Sequence, residues 1–476
     1  MPQAARLRKT KVIATIGPAC DDIDTLTRMI SAGMNVARLN MSHGDVAYHT
    51  ATLERIRQAA DGSDTTVAVM VDNRGREIRT RRMAADGATL RRGDLFRLYG
   101  DGRTGDETGV SLTYPRLHLH ARAGERILVD DGQIELRVEE TDGESVVCRI
   151  VCGGVLKHNK GVNFPDSTSA LDDIEYDDRM EVDFAAAHQV EYFAASFIRS
   201  GREIRDLRER FTRRGVDIAI IAKIENREGV SNIIDIIDAA NGIMVARGDL
   251  GVELEMGEGP KIQKQIIRAT VSRGKPVITA TQMLDSMERN PRPTRAEVND
   301  VANAIFDGSS AVMLSGETAS GTRPVESVDT MASLALEAES GLDEYGYLQR
   351  IESHPSNEVT EAVAQAAITM ANHLKAAAII ALTETGFTAR LISKHRPKSP
   401  ILAVTSSKPV VQRLAMNWGV LGMLYQGQGN DEDRTQFALA NARELGYVST
   451  GDLVIMTAGS ARQAGSTDLI RVLTVD

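Results

Sequence analysis

The chain has 476 residues, 42% hydrophobic and 26% charged, with a net charge of −10. That length exceeds what one core organises, so two or three domains of ordinary soluble composition are expected. The acidic balance argues against a nucleic-acid or anionic-membrane partner, so any anionic substrate must be held by local Lys and Arg. Three scattered cysteines, Cys20, Cys148 and Cys152, lack the partner pair of a zinc site and read as reduced thiols of a cytoplasmic protein. The basic start (Arg6, Arg8, Lys9, Lys11) precedes an apolar run of 12–16 only, too short for a signal peptide. No apolar run anywhere is long enough to span a membrane.

In chain order, the runs 12–16 (VIATI), 35–39 (NVARL) and 67–71 (VAVMV) read as strands buried on both faces. A helix-patterned stretch, 22–33, lies between the first two and closes on Gly33. After the third run the texture changes. Turn signals such as Asp130-Asp131-Gly132 and Asp142-Gly143, with alternating runs at 126–130 and 133–140, predict a small β domain over 74–159, placed as a lid. Within it, Gly100-Asp101-Gly102-Arg103-Thr104-Gly105 matches a dinucleotide fingerprint but has no helix after it, and is expected to be a hairpin turn. His118-x-His120 has no third metal ligand nearby and reads as a solvated strand face.

The first pattern then resumes with runs at 192–197, 218–222, 242–246, 276–280 and 311–314, separated by helical stretches such as 260–274. Eight strands alternating with helices predict a (β/α)8 barrel, built from residues 1–73 and, after the insert, residues 160–341. From 342 the pattern restarts, with a helix over 357–374 and strands at 377–382, 400–405 and 452–458. This segment, 342–476, is expected to be a separate α/β domain with an open, mainly parallel sheet.

The residues at or just past the end of each of the eight strands point to chemistry. In order come Gly17-Pro18, Asn40 with Ser42, Asp72, Ser196, Lys223 with Glu225, Arg247 with Asp249, Thr281 with Gln282, and Ser315 with Glu317. Barrel active sites are built at this C-terminal rim. Glu225 and Asp249 offer half a shell of hard oxygen ligands for Mg²⁺ or Mn²⁺, leaving places for water and substrate phosphate. Lys223 beside them supplies a point charge for a transferring phosphoryl group. The bland alternative for Lys223-x-Glu225 is an exposed ion pair worth about 0–1 kcal/mol.

Longer segments are more specific. They include 10–19 (TKVIATIGPA), 34–44 (MNVARLNMSHG), 222–230 (AKIENREGV), 243–253 (IMVARGDLGVE), 275–287 (KPVITATQMLDSM), 290–308 and 312–319 (VMLSGETA). With these, in this order, the chain resembles the pyruvate kinase family. The resemblance implies a TIM barrel with an inserted β-barrel cap and a C-terminal effector domain. It also implies phosphoryl transfer from phosphoenolpyruvate to ADP, yielding pyruvate and ATP.

Carried over residue by residue, Lys223 neutralises the phosphoryl group in flight, and Arg38 grips phosphate. Glu225 and Asp249 hold the divalent metal, and the backbone of Ala246, Arg247 and Gly248 receives the substrate carboxylate. Thr281 stands beside the enolate, with Ser315 and Glu317 in the proton-delivery network. Asn40, Ser42, Asp72 and Asn73 would bind K⁺, and Asn40, His43, Arg79 and Lys160 the nucleotide. Thr383, Glu384, Thr385, Gly386 and Thr388 resemble the loop for a phosphorylated sugar or nucleotide effector. A homotetramer is implied as well.

Two departures from the family stand out. Residues 72–79 read Asp-Asn-Arg-Gly-Arg-Glu-Ile-Arg, where the family commonly has Asp-Thr-Lys-Gly-Pro-Glu-Ile-Arg. Asn73 thus replaces a Thr among the K⁺ ligands, and Arg76 replaces a Pro at the lid hinge, while Glu77 is the type found in potassium-requiring members. Phe387 stands where many members carry an effector-binding Arg. The competing readings are a catalytically altered paralogue that senses phosphometabolites and a metal-dependent keto-acid aldolase.

Overall fold

The computed structural model describes residues 8–63, 66–166, 177–255, 257–346, 358–459 and 466–476. Eight strands, Lys11–Ile16, Val36–Asn40, Ala68–Asp72, Tyr192–Ala195, Ala219–Ile224, Gly242–Ala246, Val277–Ala280 and Ala311–Leu314, pair in parallel, each with its sequence neighbours. The eighth returns to the first, Lys11 opposite Ala311, so the barrel is closed. Both strand faces are buried because helices cover the outside, which is why these strands read as continuous apolar runs. The connection between the fifth and sixth strands is two short helices, Arg227–Ser231 and Ile233–Ala239.

Alternation along each strand decides what enters the barrel. Ile13, Val36, Met70, Ala194, Ile221 and Met244 pack together inside, while Val12, Ala37, Val69 and Ile220 join the outer core under the helices. Two residues further on, the same inward register carries Thr15, Arg38, Asp72, Ser196 and Lys223. The polar layer at the barrel mouth is therefore the continuation of an apolar interior. Met416, from the C-terminal domain, plugs the opposite end and is fully buried.

The insert is a seven-stranded sheet ordered Ile78–Arg79, Gly161–Asn163, Arg126–Val129, Ile134–Thr141, Ser145–Cys152, Leu95–Tyr99 and Gly109–Ser111. A bridge between Thr80 and Leu112 joins its two edges, giving the small β barrel expected. Its strand Gly161–Asn163 lies beyond the change expected at 159. Asp130, Asp131 and Gly132 all have positive φ and turn the hairpin between residues 129 and 134. Two expectations fail here. Leu95–Tyr99 and Gly109–Ser111 run parallel, so the glycine-rich 100–105 segment is a crossing loop and no hairpin. His118 sits in a short 3-10 turn, Leu117–Leu119, and no strand forms there, because Tyr114 and Leu117 bury themselves in the insert's core and draw the chain into a turn.

In the C-terminal domain the strands Val420–Leu424, Ile401–Thr405, Ala378–Leu382 and Leu453–Gly459 are parallel, and Thr467–Thr474 adds an antiparallel edge. The domain docks under the barrel. Buried Lys11 donates to the Val420 carbonyl at 2.9 Å, and Arg396 donates to Ser310 Oγ at 3.0 Å. No helix among the described residues is long and apolar enough to cross a membrane.

Candidate active site

The mouth of the barrel holds a chain of charges. Arg38 Nε lies 2.6 Å from Asp72 Oδ2, and its Nη1 donates to Thr15 Oγ1 at 2.9 Å. Asp72 Oδ1 is 3.1 Å from Lys223 Nζ, which also lies 3.0 Å from Glu225 Oε1 and donates to Ser196 Oγ at 2.7 Å. All are buried, Asp72 fully and Lys223 at 9% exposure. Burial opposes a charge on Lys223, but Asp72 and Glu225 outweigh it and raise the ammonium pKa. Burial likewise opposes charge on Asp72, and Arg38 and Lys223 overcome it, holding the carboxyl below its usual range. Lys223 is therefore a fixed cation, and an anion has two buried positive groups to meet.

Glu225 and Asp249 behave differently. Burial raises both above the usual carboxylate range. Lys223 pulls them down, while Asp249 adds to the rise at Glu225, and Glu77 and Asp131 add to it at Asp249. Glu225 and Asp249 both depend on Lys223, which Asp72 already shares, and a hard divalent cation would relieve that excess of negative charge. No group of three or more acidic, His or Cys side chains forms a closed metal cage among the described residues. Two protein carboxylates with the remaining places open fit Mg²⁺, which usually retains waters and substrate oxygens. Glu225 is also fixed by the Phe197 backbone N–H, which donates to its Oε2 at 2.6 Å.

The strand-end backbone is strained around this set. Thr281 and Gln282 have φ of +67° and +52°, and Phe197 has +56°. Non-glycine residues in this region cost energy and cluster at functional sites. Thr281 is held by its own contacts: Oγ1 donates to the Ala280 carbonyl at 2.7 Å and accepts from the Gly248 N–H at 2.8 Å. Arg247 turns away from the mouth and pairs with Asp300 at 2.7 Å, its Nη2 donating to the Thr281 carbonyl.

The structure gathers some of the residues singled out in the sequence and separates others. Lys223 was expected past its strand and lies inside it, as the last inward position. Gly248 N–H, expected to receive a carboxylate, is engaged by Thr281. Glu317 accepts from the backbone of Ser315 at 2.7 Å and of Leu284 at 3.0 Å, so it ties two rim loops together. Asn40 accepts from the Ser42 backbone at 3.2 Å. Asn73 directs Oδ1 to the Ser196 N–H at 2.8 Å, and its carbonyl accepts from Ser196 Oγ at 2.8 Å. Among the proposed K⁺ ligands, Asn73 therefore serves first to anchor Ser196.

Arg79 and Lys160 stand on the lid, paired with Glu77 at 2.9 Å and Asp130 at 2.8 Å. His43 is exposed on the loop after the second strand. At the hinge, Arg74 reaches the fully buried Glu181 at 2.6 Å and Arg76 reaches Glu203 at 3.5 Å, with Gly75 between them at φ +73°. In the C-terminal loop, Thr383 Oγ1 accepts from Gly386 N–H at 3.0 Å, Thr388 meets Thr467, and Glu384 pairs with Arg434 at 3.0 Å. Thr385 is exposed. Thr15 and Asp131 belong to the site and were not assigned to it from sequence, and Ser196, placed at the rim, was given no role in it. The inward register two residues past Ala194 and Ile13 is the signal that finds Ser196 and Thr15.

A closed barrel whose rim sets two buried cations beside a pair of carboxylates, with a β lid at its edge, is an enzyme site suited to phosphoryl transfer. Two family profiles match the chain, "Pyruvate kinase, barrel domain" over residues 7–328 and "Pyruvate kinase, alpha/beta domain" over residues 361–473. The pyruvate kinase of Geobacillus stearothermophilus is 45% identical over 469 residues, covering 98% of this chain and 80% of that protein. That of Clostridium acetobutylicum is 41% identical over 473 residues, 99% of this chain and 100% of the relative. The chain belongs to the pyruvate kinase family.

Proposed function

We propose that this protein is an active pyruvate kinase, transferring the phosphoryl group of phosphoenolpyruvate to ADP to give pyruvate and ATP. The observation that carries this reading is Lys223, a buried, permanently charged ammonium set among Asp72, Glu225 and Ser196 at the barrel mouth. A phosphometabolite sensor would use the same cation to hold its ligand, so turnover is what separates the two readings.

In the reaction the bond from phosphorus to the enol oxygen breaks and a new one forms to a terminal oxygen of ADP. The transferring group spreads charge over its equatorial oxygens, and Lys223 and Arg38 are the two cations that meet it. Glu225 and Asp249 would hold Mg²⁺ or Mn²⁺, which supplies charge neutralisation at the phosphate and substrate oxygens when bound. The departing enolate takes a proton at carbon. Thr281, its hydroxyl oriented by Ala280 and Gly248, stands on that side, and Glu317 and Ser315 hold the neighbouring rim. Closure of the lid brings Arg79 and Lys160 to the nucleotide, with Asn40 and His43 on the barrel side. Asn40, Ser42 and Asp72 supply hard oxygens suited to K⁺, with Asn73 positioning Ser196 behind them.

On the same reading, a phosphorylated sugar or nucleotide effector binds at Thr383–Gly386 and Thr388, four chains form a homotetramer, and the enzyme works in the cytoplasm. A coupled assay for pyruvate from phosphoenolpyruvate and ADP, with and without Mg²⁺, tests the activity. Phosphoenolpyruvate binding with no turnover at saturating Mg²⁺ and K⁺ would overturn it in favour of a sensor.

A further inference from the structure

At the end of the barrel away from Lys223, the strand starts and the C-terminal domain border a cavity of about 910 Å³. Tyr192 and Ala219, the first residues of the fourth and fifth strands, form one side of its wall. Five cations line it: Arg208, Arg273 and Lys275 from the barrel, Arg390 and Arg413 from the C-terminal domain. Among the described residues, the only carboxylate in the lining is Asp238.

The cations are unequally satisfied. Arg273 pairs with Asp238 at 2.6 Å, and Arg413 pairs with Asp217 at 2.7 Å just outside the lining. Lys275 caps the helix Ile233–Ala239, donating to the carbonyls of Ile237, Asp238 and Ala240 at 2.6–2.9 Å. Among the described residues, Arg208 reaches only the Ala239 carbonyl and Asn241 Oδ1, and Arg390 only the Thr385 carbonyl. Neither guanidinium has a carboxylate partner among the described residues. Burial lowers the pKa of Arg208, Lys275 and Arg390 alike, and Arg208, Arg273 and Arg390 each add to the fall at Lys275, to about 8. Around this space, among the described residues, five cations meet two carboxylates, Asp238 and Asp217, and Arg208 and Arg390 are left to meet an anion.

Sites for small ligands span roughly 300–1,000 Å³, and guanidinium forks suit the oxygens of phosphate. We propose that this cavity binds a small organic phosphomonoester, its phosphate held by Arg208 on the barrel and Arg390 on the C-terminal domain. The ligand does not reach the chemistry. Ala219 and Lys223 are four residues apart on one strand, about 13 Å at about 3.3 Å per residue. Its reach is instead to the loop at 383–386, because Arg390 holds the Thr385 carbonyl. The site is distinct from the hydroxyls of Thr383 and Thr388, both of which are bonded within the C-terminal domain.

Calorimetric titration of the full chain with ribose 5-phosphate, and separately with inorganic phosphate, at fixed ionic strength tests this, with ribose as the uncharged control. Both phosphates are expected to bind and ribose is not. Arg208→Gln and Arg390→Gln are each expected to weaken that binding roughly tenfold or more, the loss of a charge-assisted hydrogen bond. Thr388→Ala is expected to leave it unchanged, and Arg208→Gln is expected to keep the wild-type melting temperature. Should Arg208→Gln lose its fold, Arg390→Gln on the other domain decides. Absence of phosphate binding at millimolar concentration, wild-type affinity in both arginine variants, or a loss confined to Thr388→Ala would each overturn the proposal.

Discussion

Replacing Lys223 by Met removes the ammonium while keeping most of the side chain's volume. Its Nζ is within 3.1 Å of two carboxylates, Asp72 and Glu225, and Arg38 remains for only one of them. Breaking a buried pair from one side costs about 3–5 kcal/mol, because the remaining charge stays in a poorly solvated place. Without divalent ion, the barrel of Lys223→Met is expected to unfold at lower denaturant by about that amount. Added Mg²⁺ should recover some of the loss, since Glu225 then has a cation again. Catalysis should not recover. A single cation supplied to a transferring phosphoryl group is worth about 10³–10⁵ in rate, so kcat in the coupled pyruvate assay should fall into that range below wild type. The two readouts separate a folding defect from a chemical one. Turnover within tenfold of wild type, in protein shown to be folded with Mg²⁺ present, would refute the role assigned to Lys223.

Glu225→Gln and Asp249→Asn should each raise the Mg²⁺ concentration for half-maximal rate by about tenfold or more, as loss of a hard ligand requires; an unchanged Mg²⁺ curve would remove that residue from the metal shell. Enzyme dialysed into sodium or Tris salts is expected to lose most of its activity and regain it with K⁺, and full activity without K⁺ would exclude the Asn40, Ser42 and Asp72 site. Gly75→Ala is expected to lower kcat and shift lid closure, because its φ is +73° and the new Cβ would come within 2.6 Å of Ser196 Cβ; normal kinetics would show that the hinge can relax. In the C-terminal domain, burial disfavours charge on Glu361, but hydrogen bonds from His395 and Lys394 hold its pKa down to about 2. A depressed carboxyl stabilises the fold above its unfolded value of about 4.3. The advantage of wild type over Glu361→Gln in denaturant melts should thus be full at pH 6 and shrink as pH falls from about 4.3 towards 2; a constant difference would contradict it.

Much of the architecture was legible in the sequence because periodicity is a local property. Eight β-branched runs with polar residues after each one are enough to predict a barrel and its active rim, and the turn-rich texture of 74–159 marks the insert. Pairing across the fold could not be read. The parallel course of Leu95–Tyr99 and Gly109–Ser111 depends on which strand each edge meets, and nothing near residues 100–105 records it. At the site, the charged members of the rim were legible as residue types. Their partners were not: Asn73 bonding to Ser196, Glu317 clamping two backbone amides, and Arg247 turned to Asp300 are all contacts that local pattern does not encode. The cavity beneath the barrel lay beyond sequence reading for the same reason, since its arginines come from two domains.

Asp72 meets Arg38 through one carboxylate oxygen and Lys223 through the other. In the absence of substrate it stands in for a phosphate, keeping both cations charged and aimed before any ligand arrives. Substrate entry then becomes an exchange of one anion for another, with little rearrangement of the walls. It also means that Asp72 cannot be altered to probe one cation alone: any substitution there would release Arg38 and Lys223 together.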